Sequence, residues 1–193
     1  MANKDWAYGL QPLRTIGGAA PQTTRWPLKQ KITSTKYGTV IYKGQLLLFS
    51  NSGWALANGI TNPGAFGGVL GVAAEYYAGS VINATKTEIM AWDAIEHIFS
   101  IQSDNATTTL GLADVIQKSF PVSSPTAGST ISGLSGMEMD YSLGTTASTA
   151  GVYRLLRCIG LTNEIGEGEG ANMKCVVRVN FGHSYEENRT SPQ

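Results

Sequence analysis

The stretch GEGEGA, from Gly166 to Ala171, satisfies the G-x-G-x-x-A pattern of a dinucleotide-binding loop and follows an apolar run. In such a fold the glycines must open a helix whose N-terminal amides face the pyrophosphate. The residues that follow, MKCVVRVNF, are instead rich in β-branched side chains, and Glu167 and Glu169 would repel a phosphate. The sequence therefore predicts a connection between two strands at this point.

The same loop carries three carboxylates that could bind a hard cation. Glu164, Glu167 and Glu169 lie on a glycine-rich backbone, and calcium prefers carboxylate oxygens on flexible loops. The alternating D-x-D-x-D-G order of a calcium-binding loop is missing. We therefore expect no metal and no cofactor.

Few residues are candidates for nucleophilic or acid–base catalysis. Ser135, in GLSGM, lacks the glycine spacing of a nucleophile elbow, and the histidines are His97 and His183. His97 alternates into a strand face, which is typical of a structural residue. Asp93 and Glu96, three residues apart on a strand, would point to opposite faces and could not act as a pair. We expect the protein not to be an enzyme.

The two cysteines, Cys158 and Cys175, are too few for a disulfide framework and lack the spacing of a metal site. The favoured interpretation is a pair of buried free thiols. A cross-strand disulfide is the alternative, which a reducing compartment disfavours.

Four aromatic residues could line a sugar-binding face. They are Trp54, Tyr76, Tyr77 and Trp92. Such residues are more often core or interface aromatics, so a carbohydrate-binding β module stays an alternative to the main hypothesis.

Length and composition restrict the class of protein. The 193 residues fit one domain, and 14 basic residues balance 14 acidic ones, so no net field attracts nucleic acid or an anionic membrane. Frequent glycine with sparse Lys and Glu favours strands and turns. The first ten residues have no charged leader before an apolar stretch, which predicts synthesis in the cytoplasm.

Alternation and turn residues predict short strands from Thr39 onward. TVIYKGQLLLFSNSGWALA indicates strands around a turn at Gly44, and GGVLGVAAEYYAG indicates a buried strand. Further strands are predicted near residues 87–92, 95–102 and 137–143, and GVYRLLRCIGL and NMKCVVRVNF are predicted to be adjacent strands. The one helical candidate is TTTLGLADVIQKSFP, kept short by Gly111.

The first 35 residues differ from the rest. Their prolines and glycines exclude a helix or a central strand, so the sequence predicts an extended N-terminal arm at 1–35, a β body at 36–183 and a polar tail at 184–193. The arm could dock on another protein, wrap its own body or stay disordered. Its large apolar residues are Trp6, Tyr8, Leu10, Leu13, Ile16, Trp26 and Leu28.

Four stretches resemble the head decoration, or cement, proteins of tailed bacteriophages. The opening MANKDWAYGLQPLRTIGGAAPQ is similar to their M-A-N-x-D-x-x-x-G-L-x-P-x-R-x-x-G-G-A-P start. IYKGQLLLFSNSG is similar to a strand ending in their K-G-x-x-V turn, and IFSIQSDN to their F-x-I-Q-x-D segment. LTNEIGEGEGANMKCVVRVNFGH is similar to their closing N-E-x-G-x-x-A-x-x-x-V-x-x-N-x-H pattern.

The resemblance implies a β-barrel or β-sandwich body and a place on the outer capsid surface of a virion. It implies a non-enzymatic protein that binds the major capsid protein and neighbouring copies of itself as a homodimer or homotrimer, with no nucleic acid or membrane partner. A head fibre base or a tail-associated protein is the alternative within the virion. Arm residues would carry the binding, and removing residues 1–30 would then weaken head binding while leaving the body folded.

Overall fold

The protein is mainly β. The computed structural model describes residues 7–27, 40–50, 53–56, 69–77, 88–104, 111–116, 118–123, 128–142, 155–162 and 169–180. Across these residues several sheets and almost no helix are present. The elements are β1 (Gln11–Thr15), β2 (Thr23–Pro27), β3 (Leu46–Ser50), β4 (Gly53–Leu56), β5 (Val69–Ala73), β6 (Glu88–Asp93), β7 (His97–Gln102), α1 (Leu112–Val115), β8 (Ser119–Phe120), β9 (Val122–Ser123), β10 (Glu138–Met139), β11 (Leu156–Leu161) and β12 (Lys174–Val179).

Two five-stranded antiparallel sheets make up most of the structure. The first has the order β1-β7-β12-β11-β8. The second has the order β2-β6-β5-β3-β4. A small antiparallel pair, β9 with β10, stands beside them. The N-terminal strands β1 and β2 thus each form one edge of a sheet, β1 in the first and β2 in the second.

The N-terminal segment, defined as residues 7–27, passes from one sheet to the other. It runs antiparallel to β6 and β7, since β1 pairs with β7 and β2 pairs with β6. At the crossing, the Gln22 amide donates to His97 Nε2 at 3.2 Å, and His97 Nδ1 lies 3.0 Å from the Asp93 carbonyl oxygen. Because Nε2 accepts, Nδ1 carries the proton and donates it to Asp93. The histidine therefore fastens the segment to the β6–β7 turn.

The main core contains side chains from both sheets. Phe99 and Val177 of the first sheet share one apolar cluster with Leu46 and Val72 of the second. All six residues of β7 are buried, and the strand is paired on both sides, with β1 and with β12. The buried His97 is consistent with the structural role that its alternation predicts.

A second, smaller core lies under the other sheet. Ile41, Ala73, Tyr77 and Ile89 are among its buried members, and Trp26 packs against them. The Tyr77 hydroxyl accepts a hydrogen bond from the Met90 amide at 3.0 Å, and burial raises the pKa of this phenol. The Met90 carbonyl oxygen accepts from the Ala74 amide at 2.9 Å, so the Tyr77 phenol completes the bonding of Met90 just beyond the β5–β6 pairing.

Most predicted elements are confirmed, with shorter bounds. The strands predicted near 87–92 and 95–102 are β6 and β7, and the two predicted adjacent strands near the C-terminus are β11 and β12, paired directly. The turn at Gly44 and the strand near Met137 also occur. The helical interval contains a single turn, α1. Residues 1–6 and 28–35 of the arm, and the tail at 184–193, lie outside the described residues.

Candidate partner-binding surface

The apolar residues of the predicted arm divide into two groups, and only one of them faces solvent. Leu10 is 0% exposed and belongs to the main core. Tyr8 and Trp26 are half-buried. Leu13 and Ile16 are 42% and 54% exposed. Trp6 and Leu28 lie outside the described residues.

Leu10 reaches the core because two glycines let the backbone approach closely. Gly9 and Gly44 both have positive φ, +70° and +85°, a region that side chains disfavour. A Cβ at Gly9 would lie 2.6 Å from the Gly44 carbonyl oxygen, the atom that accepts from the Leu10 amide at 2.9 Å. Gly9 and Leu10 therefore pack tightly against the turn at Gly44.

Tyr8 and Trp26 also anchor the segment to its own body. The Tyr8 ring faces Lys174 Nζ at 5.3 Å, a cation–π distance. Its carbonyl oxygen accepts from Gln11 Nε2 at 2.8 Å. Trp26 packs on the second core. These contacts stabilise the fold, and they bury about half of each aromatic side chain against the protein itself.

Leu13 and Ile16 are presented by backbone that is itself well bonded. The Ile16 amide donates to the Glu96 carbonyl oxygen at 2.7 Å. Thr15 closes the following turn, since its amide donates to the Ala19 carbonyl oxygen at 2.9 Å and its hydroxyl oxygen accepts from the Ala19 amide at 2.9 Å. Two exposed apolar side chains on ordered backbone cost little entropy to bind.

The outer edge of β1 is unsuited to pairing with another strand. Pro12 has no amide hydrogen, and the register with β7 shifts between Pro12 and Arg14 as a β-bulge. Both features protect an edge against strand addition. The arrangement favours contact through the side chains of Leu13 and Ile16.

The residues considered for catalysis make hydrogen bonds to the backbone of the fold. Ser135 is buried, and its hydroxyl oxygen accepts from the Met137 amide at 3.1 Å. His97 bonds two backbone groups across the sheet crossing. Asp93 ends β6, and its carboxylate accepts from the Ile95 amide at 2.8 Å. His183 lies outside the described residues.

The glycine-rich loop leads into a strand. Gly170 to Asn172 form a turn that continues directly as β12, so no helix opens there for a pyrophosphate. Glu169 Oε1 accepts from the Leu112 amide at 2.7 Å, at the start of α1. Glu164 and Glu167 lie outside the described residues. Within the part of the chain that is described, no three His, Cys, Asp or Glu side chains come together as metal ligands would.

The aromatic residues considered for sugar binding do not form an exposed platform. Trp92 and Tyr77 are buried in the two cores. Tyr76 is half-buried and faces the Tyr42 ring at a centroid distance of 5.8 Å. The side chain of Trp54 lies outside the described atoms. A flat stack of exposed rings is therefore missing from the described surface.

One strongly exposed apolar residue is not apparent from the sequence pattern. Ile131 is 99% exposed at the tip of a turn closed by the Gly133 amide donating to the Ser129 carbonyl oxygen at 2.7 Å. The only signal is an isolated isoleucine within a run of Ser, Thr and Gly. It lies in a different loop from Leu13 and Ile16.

In comparisons with known proteins, the chain matches no family model, no curated protein and no solved structure. A search of the described residues for a long apolar helix that could cross a membrane finds none.

Proposed function

We propose that the protein is a non-enzymatic structural protein of a tailed-phage virion. It decorates the outer capsid surface and stabilises the head by clamping adjacent subunits of the major capsid protein. The four sequence stretches that resemble decoration proteins support this proposal. The structural observation that supports it most is the exposure of Leu13 and Ile16 on firmly bonded backbone of the N-terminal segment.

The architecture that we propose for the body is a β-sandwich. Its support is the main core, in which Phe99 and Val177 of one sheet pack in the same cluster as Leu46 and Val72 of the other. Two sheets that share an apolar layer in this way are the packing unit of sandwich folds. The N-terminal segment would then join the two layers along one side.

In the proposed clamp, inward side chains hold the segment to the body and outward side chains contact the capsid. Leu10, Tyr8 and Trp26 hold the segment to its own body. Leu13 and Ile16 insert into apolar depressions on the capsid subunits. Trp6 and Leu28, which flank the described part of the segment, remain in the proposed contact set and would extend it on either side.

Two such contacts are too weak to hold one copy on the capsid. Leu13 and Ile16 are already about half buried, so burying the remainder contributes about 1 to 1.5 kcal/mol each, whereas a micromolar Kd requires about 8 kcal/mol. Copies joined as a homodimer or homotrimer at local symmetry axes would multiply the contacts and gain avidity. Stable decoration therefore depends on self-association as well as on the segment.

The proposal is tested by cosedimentation with expanded, undecorated heads of the phage that encodes the chain. The double variant Leu13→Ser/Ile16→Ser should reduce saturable binding by at least about tenfold, the amount that 1.4 kcal/mol represents. The matched control is Ile131→Ser, which removes an even more exposed apolar side chain from a separate turn. This control should bind as the unmodified protein does, and circular dichroism should show all three folded.

The outcomes separate the parts of the proposal. Failure of the unmodified protein to bind heads would refute the decoration role, and binding to isolated tails instead would favour a tail-associated protein. Equal binding by the double variant would remove Leu13 and Ile16 from the contact. Quenching of tryptophan fluorescence by members of a glycan panel, without head binding, would favour a carbohydrate-binding module.

A further inference from the structure

Two buried thiols lie on neighbouring strands. Cys158 of β11 and Cys175 of β12 are fully buried in the main core, and both are free. The Cys158 thiol donates to the Gly160 carbonyl oxygen at 3.4 Å, and each thiol shifts the pKa of the other. The sulfurs are therefore near neighbours within one apolar layer.

The strand register explains why the thiols meet. Cys158 lies opposite Val177, and Cys175 and Val177 face the same core because they are two residues apart on β12 and both are buried. The cysteines are thus diagonal neighbours on one face of the sheet. A bulge between Cys158 and Gly160 interrupts the register at this point, and such a bulge bends and twists the strand locally. It gives the backbone room for the small shift that an S–S bond of about 2.0 Å requires.

The environment makes the two thiols chemically unequal. The hydrogen bond from the Cys175 thiol holds the pKa of Cys158 below its ordinary value. The same hydrogen bond, and then burial, raises the pKa of Cys175. The thiolate is the nucleophile in sulfur chemistry, and Cys158 also lies at the bulge, next to the partly exposed Ile159. These two observations together assign the first attack to Cys158 and the resolving step to Cys175.

We propose that Cys158 and Cys175 form a redox pair that hydrogen peroxide converts into an intramolecular disulfide across β11 and β12. The Cys158 thiolate attacks one peroxide oxygen, the O–O bond breaks, and hydroxide leaves as the sulfur becomes a sulfenic acid. The Cys175 sulfur then attacks the Cys158 sulfur, the S–O bond breaks, and the hydroxyl leaves with the Cys175 proton as water. Two thiols are oxidised, one peroxide is reduced, and two waters form once the first hydroxide takes up the proton released by Cys158.

The surroundings admit a small oxidant in preference to a large one. Both sulfurs are enclosed in the core, which keeps out bulky disulfide reagents. Beside them, a Cβ built at Gly160 would meet no atom within 4 Å, and Ile159 next to it is partly exposed. The bulge is thus the least crowded part of the surroundings of Cys158, and a local opening of β11 there would admit a molecule as small as peroxide.

Trypsin makes the bond directly observable. Cleavage after Arg157, Lys174 and Arg178 places the cysteines in separate peptides, 158–174 and 175–178. The full-length protein is reduced, freed of reductant, treated with stoichiometric hydrogen peroxide, and alkylated with N-ethylmaleimide in denaturant. The expected product is a monomer lighter by two hydrogen atoms that carries no maleimide and yields these two peptides joined.

The bond should also stabilise the protein measurably. It closes the connection 159–174, and a loop of this length gains enough on cross-linking to raise Tm by about 5 to 10 °C in a chain of this size. The comparison of oxidised with reduced unmodified protein needs no substitution, so it remains decisive even where a variant folds poorly.

Two variants test the assigned roles. In Cys175→Ala, Cys158 should stop at the sulfenic acid, detected by dimedone, or proceed to the sulfinic acid. In Cys158→Ala, Cys175 should stay reduced for much longer. Recovery of both cysteines alkylated in the treated unmodified protein, or linked only between molecules, would overturn the proposal. Oxidation of Cys175 in Cys158→Ala at the unmodified rate would overturn the order of attack.

Discussion

Asp104 lies just after β7, close to a second carboxylate. Its Oδ1 accepts from the Tyr141 amide at 3.1 Å. Partial burial raises the pKa of Asp104 above its ordinary value of 3.8, the Tyr141 hydrogen bond lowers it, and the Asp140 charge raises it again. The net shift is upward, so the folded protein holds this proton more tightly than the unfolded chain does. Stability from Asp104 is therefore full below about pH 4 and is lost as the pH rises through the folded-state pKa.

The substitution Asp104→Asn should raise Tm slightly at pH 7. It removes the charge but keeps an oxygen that can accept from Tyr141. Because the residue is exposed and solvent screens its charge, we expect a gain of only about 1 to 2 °C. Thermal unfolding at pH 7 and pH 3 measures the effect, which should disappear at pH 3. Glu96→Gln, in the exposed β6–β7 turn, serves as the control, and a gain for Asp104→Asn that persists at pH 3 would contradict the interpretation.

At the scale of elements, the N-terminal segment is part of the fold. It supplies an outer strand to each five-stranded sheet. Its first strand pairs with β7 and its second strand pairs with β6. The expectation that residues 1–30 could be removed while the body stays folded does not agree with this arrangement. Such a deletion removes β1, β2 and the fully buried Leu10 together.

Deleting residues 1–30 should therefore destabilise the body strongly. Loss of the Leu10 side chain alone costs about 2 to 5 kcal/mol, which in a chain of this size lowers Tm by about 10 °C, and the lost strand pairs add to this. Differential scanning calorimetry measures the change. Deleting only residues 1–6 leaves every contact described above in place and should keep Tm. An unchanged Tm for the longer deletion would show that the pairing of β1 and β2 contributes little.

Local patterns predict individual strands, and they predict a strand pair only where the two strands are near in sequence. Alternation places β6 and β7, and two β-branched runs place β11 and β12 as neighbours. Local patterns do not reveal that residues 11–27 pair with 88–102, because that choice depends on edges formed far along the chain. The candidate surface is also only partly predictable. The sequence shows which arm residues are apolar, but it does not show which of them face outward. The bulge next to Pro12 and the close approach of Gly9 and Gly44 decide that Leu13 faces outward and Leu10 inward.

At the scale of the whole molecule, basic and acidic residues cancel, with 14 of each. The ion pair between Arg25 and Glu88 is at the surface and joins atoms 3.8 Å apart, so it contributes little to stability. In the proposed decoration role, binding to the capsid would come mainly from burial of apolar side chains. Such binding depends weakly on ionic strength, since salt screens charges and leaves apolar burial in place.

Head binding should therefore change little with salt. Between 0.05 and 0.5 M NaCl we expect the Kd for expanded heads to vary by less than about threefold, whereas contacts dominated by ion pairs would weaken far more. Cosedimentation across a salt series measures this, with a strongly basic protein as the comparison. A loss of affinity of tenfold or more would indicate that charged residues carry the contact.

The pairing of the N-terminal segment with β6 and β7 also sets an order of events during synthesis. Gln22 and His97, which bond at the crossing, are 75 residues apart. At about 5 to 20 residues per second, the ribosome needs roughly 4 to 15 s to make the partner after the segment. During that interval β1 and β2 have no partner strands, because β6 and β7 have not yet been synthesised. Strand β12 is synthesised later still. Closure of both sheets is thus a late step, and the nascent chain depends on remaining unaggregated until it occurs.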